Sequence, residues 1–400
     1  MNKNIKALYQ IAQKESKRII GLMSGTSLDG LDIALCEISG SGVNTSVKLI
    51  EFETIDYTDE IKTEIRKVFA QKTIDFQHLV LLNEWIGVLH AEMINDALKK
   101  WNIPSNEVDL IASHGQTVLH APKFLHQQEK FPNATLQIGD GDHIAVKTGI
   151  ITLSDFRQKH VAAGGEGAPL AVYGDYFLFG KEGENRIMLN IGGIANFTYL
   201  PSALKTEETF VTDTGTGNTL IDLFVKKYFF KSYDKDAEIA KQGTVNLLLL
   251  DNLKDHAFFK KGYPKTIGQE LFNEEYVELA LSKSNLNDIL APDLLATLTR
   301  FSAETIAEAI HFTVKNTSHK IEDFKIYMSG GGANNPLLVE WLKELLPCTF
   351  SKSNELGINS DAKEAILFAI LANETVTGGD FNFKSAKIPS VTMGKISMPD

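Results

Sequence analysis

The residues with the most chemical capacity sit in short turns of glycine and hydroxyl side chains. The first is Ser24-Gly25-Thr26-Ser27-Leu28-Asp29-Gly30, between the apolar runs Ile19 to Met23 and Leu31 to Ile38. That pattern predicts a β-hairpin whose tip offers backbone N–H groups, hydroxyls and one carboxylate. Glycine lets a ligand approach the backbone, hydroxyls donate hydrogen bonds, and an acid holds Mg2+ through water, so the tip suits a nucleotide phosphate. An ordinary hairpin turn has the same composition. The stronger indication is recurrence. Asn190-Ile-Gly192-Gly193-Ile-Ala-Asn196 again joins two strand-like runs, Asp213-Thr-Gly-Thr-Gly-Asn218 leads from a strand into a helix, and Gly330-Gly331-Gly332 stands between a strand and a helix with Pro336 in its first turn.

A second set of polar groups collects where strands end. Val108 to Ala112 empties into Ser113-His114-Gly115-Gln116-Thr117, and ligands of open α/β sheets sit beyond the carboxyl ends of strands. Ile150 to Asp155 opens into a loop with three glycines in four residues, Gly164, Gly165 and Gly167, before a helix beginning at Pro169. Strand, glycine loop and helix start form a site for an anion or polar ligand, surrounded here by Asp155, Arg157, His160 and Glu166.

These turns need a large framework. A chain of 400 residues is too long for one typical core and predicts two domains. Arg186 to Leu200 repeats the strand–turn–strand pattern of the first hairpin, and the charged stretch Lys181 to Asn185 marks a boundary. The expected domains are residues 1–182 with 375–400, and residues 183–374. Helical spacing predicts long helices over Phe76 to Trp101 and Leu294 to Val314, shorter ones over Glu270 to Leu281 and Ser360 to Ala372, and an irregular tail from Phe381. A net charge of −11 argues against a nucleic-acid binder, which would need a basic face. No stretch approaches the roughly 18 apolar residues that span a bilayer, the first 17 residues lack a signal-peptide core, and two cysteines fit a reducing compartment. The expected location is cytoplasmic, with no membrane partner.

Two hairpins, a third phosphate-type loop and a glycine triplet form an ordered set. It resembles the two-lobed actin/hexokinase/Hsp70-like (ribonuclease H-like) α/β architecture, with duplicated domains and a nucleotide cleft between them. A P-loop and a Gly-x-Gly-x-x-Gly turn are both missing from the sequence. More specifically, the chain resembles the anhydro-N-acetylmuramic acid kinases. The resemblance is carried by Met23 to Asp32, Ser113 to Thr117, Leu136-Gln-Ile-Gly-Asp140, Asp155-Phe-Arg157, Gly164 to Leu170, Asn190 to Asn196, Asp213 to Asn218, Pro264-Lys265, Gly330 to Asn335 and Asp361 to Ala365.

The resemblance implies an enzyme that uses ATP and Mg2+ to open the 1,6-anhydro bridge of 1,6-anhydro-N-acetylmuramic acid. Water adds at C1, O6 takes the phosphoryl group, and N-acetylmuramic acid 6-phosphate results, in cell-wall recycling. It implies ATP binding by Gly25, Thr26, Ser27, Leu28, Asp29, Gly30, Leu31 and Asp32, with Asp29 near Mg2+, and by Asn190, Gly192, Gly193, Asn196, Asp213, Gly330, Gly331 and Gly332. His114, Gln116, Thr117, Asp155, Arg157, Gly164 and Gly165 fall on the sugar side, and a homodimer is expected. The chain departs from the family pattern at three places. His160 stands where Asp, the expected water-activating base, is usual; Glu166 stands where Gln is common; Thr216 replaces a usual Pro. His160 as the base, Glu166 orienting or replacing it, and loss of the base are three open readings. The last yields an ATP-binding regulator without turnover. A kinase for another sugar is a further alternative.

Overall fold

The computed structural model describes all residues except 269, 270, 287, 360, 379–382 and 384–391. It divides into two α/β units, Met1–Gly180 with Ile358–Asp400, and Lys181–Gly357. The strands are β1 (Ser16–Ser24), β2 (Gly30–Ser39), β3 (Ser46–Asp56), β4 (Leu110–Ala121), β5 (Ala134–Ile138), β6 (Thr152–Ser154), β7 (Asn185–Ile191), β8 (Ile194–Leu200), β9 (Phe210–Thr216), β10 (Phe324–Ser329), β11 (Thr349–Lys352) and β12 (Lys395–Ser397).

Both sheets are built on one plan. In the first unit the order is β12-β6-β4-β1-β2-β3, with β5 on the far half of β4; in the second it is β11-β10-β7-β8-β9. Each begins as an antiparallel meander of three strands and then adds two strands parallel to the first. The repeat expected from the two hairpins therefore extends to five strands. Central strands are buried on both faces and read as continuous apolar runs, as β1 does from Ile19 onward, whereas the edge strand β3 is only half-buried.

The helix Phe76–Trp101 starts at Asp75, whose carboxylate accepts from the N–H groups of Gln77 and His78, and ends at the left-handed Asn102. Its inner face carries Leu82, Ile86, Met93 and Ile94 into the first unit's core. The helix Lys363–Thr377 is buried from Ala365 to Glu374 and packs on β1, β2 and β4. Gly21 in β1 makes the room, since a Cβ there would lie 1.9 Å from the Ala365 carbonyl oxygen.

That packing corrects the domain expectation. The first boundary falls after Gly180, close to the expected residue 182, but the chain returns to the first unit at Ile358 rather than 375. Of the expected irregular tail, residues 381, 382 and 384–391 lie outside the described residues, and Lys395–Ser397 form an edge strand antiparallel to β6. Ser360 and Glu270 also lie outside them; the helices found there are Lys363–Thr377 and Glu274–Lys283. The helix Lys3–Ala12 is tied to the other terminus by Asn4 Nδ2, which donates to the Asp400 carbonyl at 2.8 Å and its carboxylate at 2.6 Å. Among the described residues no helix is long and apolar enough to cross a membrane.

Candidate active site

In the first unit, β1 and β2 pair as far as Met23 and Asp32, leaving the predicted turn as the tip. Thr26, Ser27 and Asp29 are exposed, while Leu28, at φ 56°, turns its side chain into the core beside Ile20 and Leu22. Leu28 and Leu31 are buried, so only their backbones are free to face a ligand. Asp29 Oδ1 accepts from Ser27 Oγ at 2.7 Å and from the Gly30 N–H at 3.0 Å. Asp32 accepts from Thr54 Oγ1 at 2.6 Å. Its carboxyl is pushed above the usual range by burial, against the Thr54 bond, with the charges of Asp29 and Asp361 adding to the rise.

The two glycines of this tip differ. A Cβ at Gly30 would lie 2.3 Å from the Ile55 carbonyl, so glycine there serves the packing of β2 on β3. A Cβ at Gly25 would meet nothing closer than 3.7 Å, which leaves that backbone open on its free side.

Beside the hairpin, β4 carries a bulge. Leu22 faces Ser113 but Ser24 faces Gln116, with Gly115 at φ 75° between. His114 Nε2 accepts from Arg157 Nε at 2.8 Å, which places the ring's proton on Nδ1, donating to the Gly115 carbonyl at 2.8 Å. Burial, then the Arg157 charge, pushes the His114 pKa down to about 3, so the ring is a neutral support for Arg157. Arg157 Nη1 reaches on to the Gly167 carbonyl at 2.7 Å. Gln116 departs from expectation. Its side chain is buried, accepting from Ser24 Oγ at 2.6 Å and donating to the carbonyls of Gly25 and Thr117, so its amide is not free for a substrate.

His160 also departs. The ring is 0% exposed, its Nδ1 accepts from the Gly167 N–H at 3.0 Å, and its Nε2 is buried without a hydrogen-bond partner. A neutral ring that accepts at Nδ1 carries its proton on Nε2 and has no lone pair left for a substrate's proton. Burial, then the Arg157 charge, lowers its pKa to about 4. His160 is therefore no general base in this geometry. It pins the glycine loop, and Gly165 is required because a Cβ there would lie 2.2 Å from the ring. Gly164, at φ 94°, has open space around it and is set by its backbone. Glu166 projects from between the two anchored glycines and is half-buried.

A cavity of about 340 Å³ opens at the carboxyl ends of β4 and β6, lined in part by Ser113, His114, Gln137, Asp140, Asp155 and Lys395. Asp155 and Lys395 form an ion pair, and Ser113 Oγ is buried without a partner. The size and polar lining suit a single sugar ring. Thr117 is half-buried on the next stretch of β4 and is not part of this lining. Gln137 belongs to the motif Leu136 to Asp140, which implies no role for it, and Lys395 carries no sequence signal of its own; the cavity brings both forward.

In the second unit, Asn190, Asn196 and Asp213 are successive partners across β7, β8 and β9, a polar row that strand register alone creates. The Gly192 and Gly193 carbonyls accept from the N–H groups of Asn218 at 2.9 Å and Gly217 at 2.7 Å, which ties two predicted turns together. Asp213 Oδ2 accepts from the Ile267 N–H at 2.8 Å, and burial pushes its carboxyl up to about 6. Thr216 is fully buried at the end of β9. Gly330, at φ 81°, would carry a Cβ 2.6 Å from the Ile191 carbonyl, and Gly332 one 2.3 Å from the Ile191 side chain. Gly331 has no neighbour closer than 3.9 Å and borders a cavity of about 450 Å³ lined also by Asn218, Asp222 and Tyr233. A separate cavity of about 560 Å³ between Tyr199, Phe210, Tyr263 and Phe312 touches none of the residues singled out in the sequence.

The profile of a family described as anhydro-N-acetylmuramic acid kinase matches residues 17–395. A protein of that name from Pseudoalteromonas atlantica (strain T6c / ATCC BAA-1087) is 53% identical over 405 residues, covering 100% of both chains. Another from Caldanaerobacter subterraneus subsp. tengcongensis is 40% identical, covering 98% of this chain and 99% of its own. Among solved structures, component A of the Acidaminococcus fermentans (R)-2-hydroxyglutaryl-CoA dehydratase covers 91% of this chain and 99% of its own at a TM-score of 0.40 and 11% identity.

Proposed function

The chain belongs to the anhydro-N-acetylmuramic acid kinase family, and from that premise we infer that it phosphorylates 1,6-anhydro-N-acetylmuramic acid with ATP, in cell-wall recycling. Water adds at C1, the C1–O6 bond breaks, and O6 takes the γ-phosphoryl group; ADP and N-acetylmuramic acid 6-phosphate leave. The observation that carries the reading at the site is the pair of open glycines. Gly25 and Gly331 lie in motif turns whose other glycines are packed, yet both present bare backbone. Phosphoryl transfer depends on such positioning and on charge neutralisation.

The residues divide the work as follows. Gly25 to Asp32 in the first unit, and Asn190 to Asn196, Asp213 and Gly330 to Gly332 in the second, bind ATP. Asp29 and Asp32 would hold Mg2+, carboxylate oxygens being the ligand class this hard cation takes. The Asp32 carboxyl is raised first by burial and further by the charges of Asp29 and Asp361, and a bound cation would favour its ionised form. Mg2+ there would neutralise phosphate charge. His114 and Arg157 support the sugar side with Asp155, Gly164 and Gly165.

Glu166 is the general base. It is the half-buried carboxylate on the loop that His160, Arg157 and Asn133 fix through Gly165 and Gly167. Both cysteines are free, which supports a cytoplasmic location. The homodimer rests on the family resemblance, and light scattering of the purified chain tests it.

The test of the reaction is ATP turnover by purified protein with and without the anhydrosugar, with the product identified by mass. A 6-phosphate that has gained water is expected. Turnover on another sugar only, or ATP binding without turnover, overturns this assignment.

A further inference from the structure

Beneath the first hairpin lies a row of buried polar side chains. Ser24, Tyr57, His90 and Gln116 are each at most 3% exposed. They come from β1, the residue following β3, the helix Phe76–Trp101 and β4. Their contacts run in one line. His90 Nε2 is 2.7 Å from Tyr57 Oη, Tyr57 Oη is 2.9 Å from Ser24 Oγ, and Ser24 Oγ is 2.6 Å from Gln116 Oε1. Gln116 Nε2 then meets the carbonyls of Gly25 at 3.0 Å and Thr117 at 3.1 Å.

Counting protons gives the line a single direction. Carbonyl oxygens only accept, so the Gln116 nitrogen must face Gly25 and Thr117, and its oxygen must face Ser24. Ser24 therefore spends its one hydroxyl proton on Gln116. Tyr57 must then donate to Ser24, and Tyr57 in turn needs a donor, which only a protonated His90 Nε2 supplies. The remaining nitrogen, His90 Nδ1, then bears the lone pair and is buried without a partner. Reversing any one bond strands a proton between two donors or leaves two lone pairs facing each other.

We propose that this one-way chain, from His90 through Tyr57 and Ser24 to Gln116, positions the Gly25 peptide for the phosphates of ATP. The proposal rests on the kinase reading. Gly25 is the open residue of the tip, and its carbonyl is the last acceptor of the chain. Fixing that carbonyl fixes the plane of the peptide joining Gly25 to Thr26, and with it the direction of the Thr26 N–H. Tyr57 adds a second hold, its backbone N–H donating to the Asp29 carbonyl at 2.8 Å on the other side of the tip. None of the four side chains touches a substrate; they are positioning residues.

Two measurements on the full chain test this. The first is the ¹⁵N signature of the histidine rings without nucleotide. His90 is expected as the Nε2–H form, unchanged between about pH 6 and pH 8. The Nδ1–H form, or titration in that range, overturns the chain's direction. The second is Tyr57→Phe, which keeps the ring and removes one oxygen. ATP affinity is expected to fall by roughly tenfold or more, while sugar affinity and the far-UV circular dichroism stay as in the wild type. A folded Tyr57→Phe protein with wild-type ATP affinity overturns the positioning role, as does equal weakening of both substrates. A wild-type chain that shows the Nε2–H form but no ATP binding overturns the kinase reading, and the positioning role with it. The tautomer separates that failure from a failure of the chain itself.

Discussion

At the scale of single residues, the exchange at positions 160 and 166 has consequences that the two side chains separate. Glu166→Gln should lower kcat by roughly 10²–10⁴-fold, the usual worth of general-base catalysis, with the KM for ATP nearly unchanged. His160→Ala should act differently. It leaves the Gly167 N–H unpaired and a hollow under Gly165, so the thermal midpoint should fall and the sugar KM should rise more than kcat falls. If His160→Ala instead cost kcat alone, the base would be His160 after all. The sequence shows that these two positions depart from the family pattern. It could not show which ring nitrogen faces the loop, because that depends on where Gly167 folds back seven residues later. Gln116 teaches the same lesson: a polar residue at a strand end is equally suited to a ligand or to a buried network, and only its neighbours decide.

At the scale of elements, the glycine turns were the most legible part of the chain, because composition alone restricts what such turns do. Their individual glycines were not equally legible. Gly25→Ala meets no clash and should leave the thermal midpoint unchanged, so a loss in kcat/KM for ATP would report ligand contact directly. Gly330→Ala combines a left-handed backbone with a Cβ 2.6 Å from the Ile191 carbonyl. It should destabilise the protein by roughly 2–4 kcal/mol, read from chemical denaturation. Equal stability losses in the two variants would refute the distinction between open and packed glycines. The strand β12 was not legible, since three residues carry no usable periodicity and its pairing partner β6 is about 240 positions away.

At the scale of the molecule, the duplicated plan was visible as a repeated hairpin, and the five-strand order completes it. The placement of the helix Lys363–Thr377 was not visible, because a helix that is apolar nearly all round does not say which sheet it will cover. The first unit also gathers three buried neutral histidines, His90, His114 and His160, with pKa values lowered to about 4, 3 and 4. In the unfolded chain each takes up a proton as pH falls through about 6.5, whereas the folded chain resists until about 4 or below. Their stabilising contribution is complete above about pH 6.5 and declines as pH falls toward 4. Thermal midpoints should therefore drop between about pH 7 and pH 5, and less steeply in His160→Gln. Finally, the first unit is drawn from two separate stretches, residues 1–180 and 358–400, whereas the second is continuous. During translation the second unit can finish folding while β1 still lacks the helix that covers Gly21. A chain truncated near residue 357 should thus hold a protease-resistant second unit and a first unit that is still open to cleavage.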